Sequence, residues 1–255
     1  VARVQTIPGR FLANANLASA GVPTDGLWLW FLADTEVTVD ANNLVSFWGD
    51  QSGRSADAEQ SVSGLRPIKI ASYKNGLPVI RFGGAQFVAE QTGSTFTLNG
   101  KTGASWFFVG DAGSGNSVDG AIIGTDDVGG RGESLILNVL TPGIIVPVNS
   151  STVARRNAGS AWTADTFTML TAIYDGSGTP SLNIYKNGTL DNGSLSGTIP
   201  ASIGNAGVSG KIGEAGFLSD FFVGNIGEIL VYSRAVTSEE QTNIQSYLNT
   251  RWAIF

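Results

Sequence analysis

The chain has neither cysteine nor histidine, and only one methionine among its 255 residues. Without thiols its fold owes nothing to disulfides and offers no soft metal site. Without imidazole it lacks the commonest general base and metal ligand. Charge is scarce as well: Asp, Glu, Lys and Arg make up 14% of residues, and the formal net charge is −6, where a quarter charged is usual. No basic run is present to neutralise a row of phosphates, so nucleic acid is a poor partner. Long apolar runs are missing too. The longest apolar-biased window, 135–148, is broken by Asn138, Pro142 and Gly143, and no stretch suits membrane insertion as a spanning helix. The given chain does not open on a charged start followed by an apolar run and a cleavage site.

Glycine and aromatics are plentiful: 34 Gly, 13 Phe, 6 Trp and 5 Tyr, with 42% hydrophobic residues. That composition argues against disorder and for many short strands joined by small-residue turns. A single β domain can reach this length. Residues 26–31 form a strand apolar on both faces, and 77–82, 105–110, 168–174, 181–186 and 224–232 read as further strands. Asn187-Gly188 after the alternating run 181–186 marks a tight hairpin, because both residues tolerate positive φ. Thr141, Pro142 and Gly143 lie between two strands expected to pair. By contrast 54–66, 111–119, 126–133 and 149–159 read as loops. The one helix is expected over 238–250, opened by a capping box of Thr237 and Glu240. Its apolar face of Ile244, Tyr247 and Leu248 should cover a sheet edge, with Trp252 plugging the corner. The expected fold is all-β: a two-sheet antiparallel β-sandwich of roughly a dozen strands with one C-terminal helix.

Residues 1–25 differ from the rest. Val4, Ile7, Phe11 and Leu12 are spread among Ala, Asn and Gly without strong periodicity. They read as an N-terminal arm that packs along its own domain or on a neighbouring subunit. The remaining residues, 26–255, read as one domain without an internal linker or a constant repeat.

Several segments together resemble the concanavalin A-like or laminin G-like jelly-roll superfamily, in its bacterial and phage branch. They are Leu27-Trp28-Leu29; Trp48 with Asp50, Ser52 and Gly53; Asn75-Gly76 with Pro78, Val79 and Phe82; Tyr185 with Asn187-Gly188; Gly224, Ile226, Glu228, Leu230 and Tyr232; and Trp252 closing the helix. The resemblance runs from about 26 to 252 and leaves out the arm. It implies a concanavalin A-like jelly roll, a fold shared by lectins, adhesion modules, hydrolases, lyases and virion parts. Function therefore stays open.

The lyases of that superfamily use a His–Tyr arrangement, which a chain without His cannot supply. Its glycoside hydrolases set three carboxylates alternately on one strand so that they enter one cleft. Here Asp34 with Glu36 and Asp57 with Glu59 have no third member, and Glu228 has no acidic neighbour on its face. An enzyme is not expected. Calcium needs six to eight oxygens, and two loops could contribute: Asp126, Asp127 and Glu133 in one, Asp111, Asn116 and Asp119 in the other. Each also reads as a plain solvated loop. For sugar stacking Trp106, Trp162 and Trp30 are candidates, while Trp28, Trp48 and Trp252 read as core. Arg155 and Arg156 could meet an acidic glycan or a neighbouring subunit.

The leading expectation is a non-catalytic structural or assembly module, a homo-oligomer or part of a virion or surface particle, such as a capsid decoration, head-fibre or tail protein. Its alternative is a secreted or cell-surface module binding a polysaccharide or host-surface glycan. The expected location is a virion or an extracellular surface.

Overall fold

Two Asn-Gly pairs turn the chain where the sequence places them. Asn75 and Gly76 have φ of 50° and 75°, and Asn187 and Gly188 have 47° and 80°. This left-handed geometry matches the twist of the strands it joins. Each pair closes a hairpin, between Lys74 and Leu77 and between Lys186 and Thr189.

The computed structural model describes residues 22–92, 95–116, 120–127, 130–138, 140–149, 152–204, 209–215 and 220–255. The side chains of 126, 127, 130, 131, 137, 138, 215 and 220 fall outside the description. The arm residues Val4, Ile7, Phe11 and Leu12, and Asp119, also lie outside it.

The first strands are β1 (Leu27–Leu32), β2 (Val37–Val39), β3 (Val45–Trp48), β4 (Ala58–Glu59), β5 (Ile68–Lys74), β6 (Leu77–Gly83) and β7 (Val88–Glu90). There follow β8 (Gly103–Ala112), β9 (Gly120–Asp127), β10 (Gly130–Asn138), β11 (Thr141–Asn149) and β12 (Thr152–Ala158). The last part adds β13 (Thr168–Asp175), β14 (Ser181–Lys186), β15 (Thr189–Leu190), β16 (Asn192–Ser196) and β17 (Ser209–Ile212). It ends with β18 (Glu214–Ala215), β19 (Asp220–Phe221), β20 (Val223–Tyr232) and helix α1 (Ser238–Trp252).

Eight strands form one sheet in the order β15-β14-β13-β8-β20-β6-β5, with β1 also on β20. Twelve form the other, in the order β16-β12-β11-β10-β9-β17-β7-β4-β3-β2, with β18 and β19 beside β9. Pairing is antiparallel apart from the parallel bridge of β19 to β9. Strand β20 is the axis of the first sheet. It pairs β8 along its length, β6 over Val223–Ile226 and β1 over Glu228–Tyr232.

The main core lies between the sheets, where Trp48, Phe82, Trp106, Phe108, Trp162 and Ile229 meet. A second cluster joins α1 to the outer face of the eight-stranded sheet. Val79, Phe107, Met169 and Leu230 pack there against Ile244, Leu248 and Trp252. The helix was expected over a sheet edge; it lies instead on the middle of a face. The reason is legible in the strands: 27–32, 107–109 and 229–232 are apolar on both faces, so the outer one must also be covered.

The helix opens as its sequence requires. Glu240 N–H donates to Thr237 Oγ1 at 3.2 Å, and Thr237 N–H donates to Glu240 Oε2 at 2.8 Å. All four expected loops are wholly or partly strand, 54–66 by way of the short β4. Residues 152–158 form β12, the 126–133 segment is the end of the β9–β10 hairpin, and Asp111 is inside β8. Strand β12 was hidden because only Ala154 and Ala158 in it are buried, too weak an alternation to read.

Candidate binding site

The residues first expected to meet a ligand are mostly occupied elsewhere. Trp162 is 2% exposed; it packs edge-on to Phe108 at 5.5 Å and donates Nε1–H to Thr166 O. Trp106 is buried in the same core. Neither presents a stacking face. Arg155 and Arg156 are neighbours in β12, so their side chains leave on opposite faces. Arg156 bridges strands by donating to Leu182 O and Gly193 O, each at 3.0 Å, and Arg155 Nε–H donates to Asn157 Oδ1 at 2.9 Å. They do not make one cationic pair.

The calcium expectation fares likewise at Glu133. Its carboxylate is 2% exposed and turned inward, accepting from Leu98 N–H at 2.6 Å and Thr125 Oγ1–H at 3.0 Å. The side chains of Asp126 and Asp127 lie outside the described residues. Among the described residues no group of three acids could hold a metal ion. Trp30 is buried, its Nε1–H donating to Glu228. Trp28, expected in the core, is half-buried.

A different cluster is open. Where α1 no longer covers the eight-stranded sheet, three polar residues stand in register across it. Asn225 of β20 faces Arg81 of β6 on one side and Asp111 of β8 on the other. Such directly opposed side chains are close enough to bond. Asn225 Nδ2–H donates to Asp111 Oδ1 at 2.7 Å, and Arg81 Nε–H donates to Asn225 Oδ1 at 2.9 Å. Asn225 also donates to the Tyr73 hydroxyl at 3.2 Å.

Tyr73 comes from β5, where the register shifts between Ile70 and Lys74 and Ser72 takes a φ of 56°. The irregularity lays its ring over the row, 5.6 Å from the Arg81 guanidinium. It is 40% exposed. Phe167 stands beside it at 6.4 Å and rests on Trp252 at 5.4 Å, with Lys74 Nζ 5.9 Å from the Phe167 ring.

Asp111 is 1% exposed, and its Oδ2 has no partner at hydrogen-bond geometry. Burial pushes its carboxyl above the usual range, against the pull of Asn225 and the nearby Tyr73 hydroxyl. Burial, then the Asp111 carboxylate, push the Tyr73 phenol up. The site thus joins an exposed ring and an exposed guanidinium, backed by the buried Asn225 and Asp111. Sequence reading took only Asp111 from this site, as a possible calcium ligand, and passed over Tyr73, Arg81 and Asn225. The available signals were one Asn in the apolar run 223–232 and one Arg in the run 77–82.

The chain matches a family model over residues 82–240, that of the concanavalin A-like lectin/glucanases superfamily. It belongs to that superfamily. Solved structures place its jelly roll beside bacterial toxin binding domains. The binding domain of Paraclostridial Mosquitocidal Protein 1 superposes with a TM-score of 0.62 at 12% identity, covering 89% of this chain and 53% of that one. That of botulinum neurotoxin serotype G gives 0.61 at 11% identity, covering 88% and 51%. A third is botulinum neurotoxin type C, whose access to cells depends upon interaction with two ganglioside molecules. It gives 0.54 at 14% identity, covering 93% and 52%. This superfamily member therefore spans about half the length of the chains it resembles, and at such identities the likeness is one of fold. Among curated proteins none is similar enough to match.

Proposed function

We propose that this jelly roll is a non-catalytic recognition module of a larger surface or secreted protein, and that it binds a glycan across Tyr73, Arg81, Asn225 and Asp111. One observation carries the reading: an exposed tyrosine ring lies beside an exposed guanidinium, over a cross-strand row in which Asn225 joins Arg81 to Asp111. A sugar fits that combination. Its C–H face packs on an aromatic ring, and its hydroxyls supply acceptors to a guanidinium and hydrogen bonds to the tyrosine hydroxyl. Arg81 and Lys74 are balanced nearby by Asp111 and Asp165, so a neutral sugar suits the charge.

The non-catalytic part rests on three other buried acids. Asp50 accepts from Trp30 N–H, Ser52 and Ala56 N–H; Glu133 and Glu228 are likewise sealed among donors. A hydrolase needs two carboxyls facing one bond, and these three are engaged inside the fold. The toxin structures support a recognition role by analogy of fold. The ganglioside interaction is that of the type C neurotoxin, of whose chain the match covers 52%, so the ligand assignment here stands on this chain's own residues. None of the structures named above is a virion component, and the assembly reading rests on arm residues outside the description.

Glycan-array screening followed by calorimetry tests the proposal. Tyr73→Ala should weaken the best glycan at least ~10-fold, and Arg81→Gln should do so by several-fold, with the melting temperature little changed. Absence of glycan binding, or binding unmoved by both substitutions, would overturn it.

A further inference from the structure

A second feature lies away from the Tyr73 cluster. The half-buried indole of Trp28 carries two cations. The Arg54 guanidinium carbon stands 3.3 Å from the ring centroid, and Lys101 Nζ stands 4.8 Å from it. Both are set there by the fold. Arg54 donates from Nη1 to Trp28 O at 2.9 Å, and the Lys101 backbone is pinned by Leu98 O at 3.0 Å and Ile203 N–H at 2.8 Å. Trp28 itself is fixed by Nε1–H donating to Phe96 O at 3.2 Å.

One cation on an indole is a common stabilising contact. A second on the same ring adds repulsion unless a negative charge answers it. Among the described residues neither Arg54 nor Lys101 forms an ion pair with a carboxylate. The acids nearby are spent inward. Asp50 holds the turn of Ser52 and Ala56, and Glu90 accepts from Phe96 N–H at 2.8 Å. Asp50 offsets part of the Arg54 charge from nearby, yet a chain of net charge −6 holds two cations on one ring without an ion-pair contact among the described residues.

We propose that Trp28, Arg54 and Lys101 form a binding site for an oxyanion, the carboxylate or sulfate substituent of an acidic ligand. Arg54 supplies planar guanidinium donors, Lys101 a point charge, and the indole rim an apolar wall. The site is independent of the Tyr73 cluster.

The test follows the Trp28 indole N–H resonance, assigned by Trp28→Phe, during titration at constant ionic strength. Sodium sulfate and sodium glucuronate are the probes, with sodium chloride and glucose as controls. A saturable shift with sulfate alone, glucuronate alone or both supports the site and names its preferred group. Lys101→Gln and Arg54→Gln should each weaken it at least ~10-fold, whereas Tyr73→Ala should leave it unchanged. A shift no different from that given by chloride, or one that survives both substitutions, would overturn the proposal.

Discussion

Glu228 shows how far one residue's role depends on its surroundings. It is fully buried in β20, and its Oε1 accepts from Trp30 Nε1–H at 2.8 Å and Tyr247 O–H at 3.0 Å. Its Oε2 accepts from Trp252 Nε1–H at 2.8 Å, with Arg251 Nε at 3.3 Å. Burial pushes this carboxyl upward while Arg251 pulls it back. The group ties strand β1, strand β20 and the end of α1 together. Glu228→Gln keeps the shape but exchanges one acceptor for a donor, so one buried N–H or O–H loses its partner. Denaturant unfolding should show a loss of about 1–3 kcal/mol.

Glu240 gives a pH-dependent counterpart. Arg234 holds its carboxyl down from 4.5 to about 2, by two bonds of 2.7 and 2.8 Å. An acid depressed in the folded state adds stability above its unfolded pKa and loses it as pH falls through the folded one. Glu240→Gln should therefore melt lower than the parent at pH 6, and the gap should close between about pH 4.5 and pH 2. A gap constant over that range would assign the loss to the cap alone.

At the scale of elements, the decisive contact is that of α1 with the eight-stranded sheet. A Cβ placed on Gly227 would lie 2.6 Å from the Trp252 ring, so only glycine lets the helix end sit there. Gly227→Ala should cost about 1–3 kcal/mol by overpacking, read as a lower denaturation midpoint. At the other end of the helix, Thr237→Ala removes the side-chain cap and should cost about 1 kcal/mol. The larger loss at Gly227 would show that docking, more than local helix propensity, holds the element.

At the scale of the whole molecule, the two layers absorb nearly every tryptophan and the acids Asp50, Asp57, Asp111, Glu133, Glu214 and Glu228, and they leave few places to meet a ligand. Glu133, once a calcium candidate, is an inward acceptor for Leu98 and Thr125. The melting temperature is accordingly expected to stay within ~1 °C whether EDTA or calcium is added, since only a ligand of the folded state raises it. A rise of several degrees with calcium would show that the folded chain binds the metal.

Local rules settled much of this protein in advance. The Asn75-Gly76 and Asn187-Gly188 turns, the Thr237–Glu240 cap and the two-layer class follow from φ preferences, capping and alternation, which act over a few residues; the pairing of β10 with β11 was also expected, but Thr141, Pro142 and Gly143 lie inside β11 and not in the turn. Placement across the sheets did not follow. Whether Trp162 is buried, whether Arg155 and Arg156 share a face, and whether Glu133 turns in or out depend on partners distant in sequence. The Tyr73 site is the clearest case. Its residues lie on β5, β6, β8 and β20, and only the antiparallel register of Arg81, Asn225 and Asp111 brings them into one row. That register is fixed by burial of two faces at once, a property of the packed sheet and of no single segment.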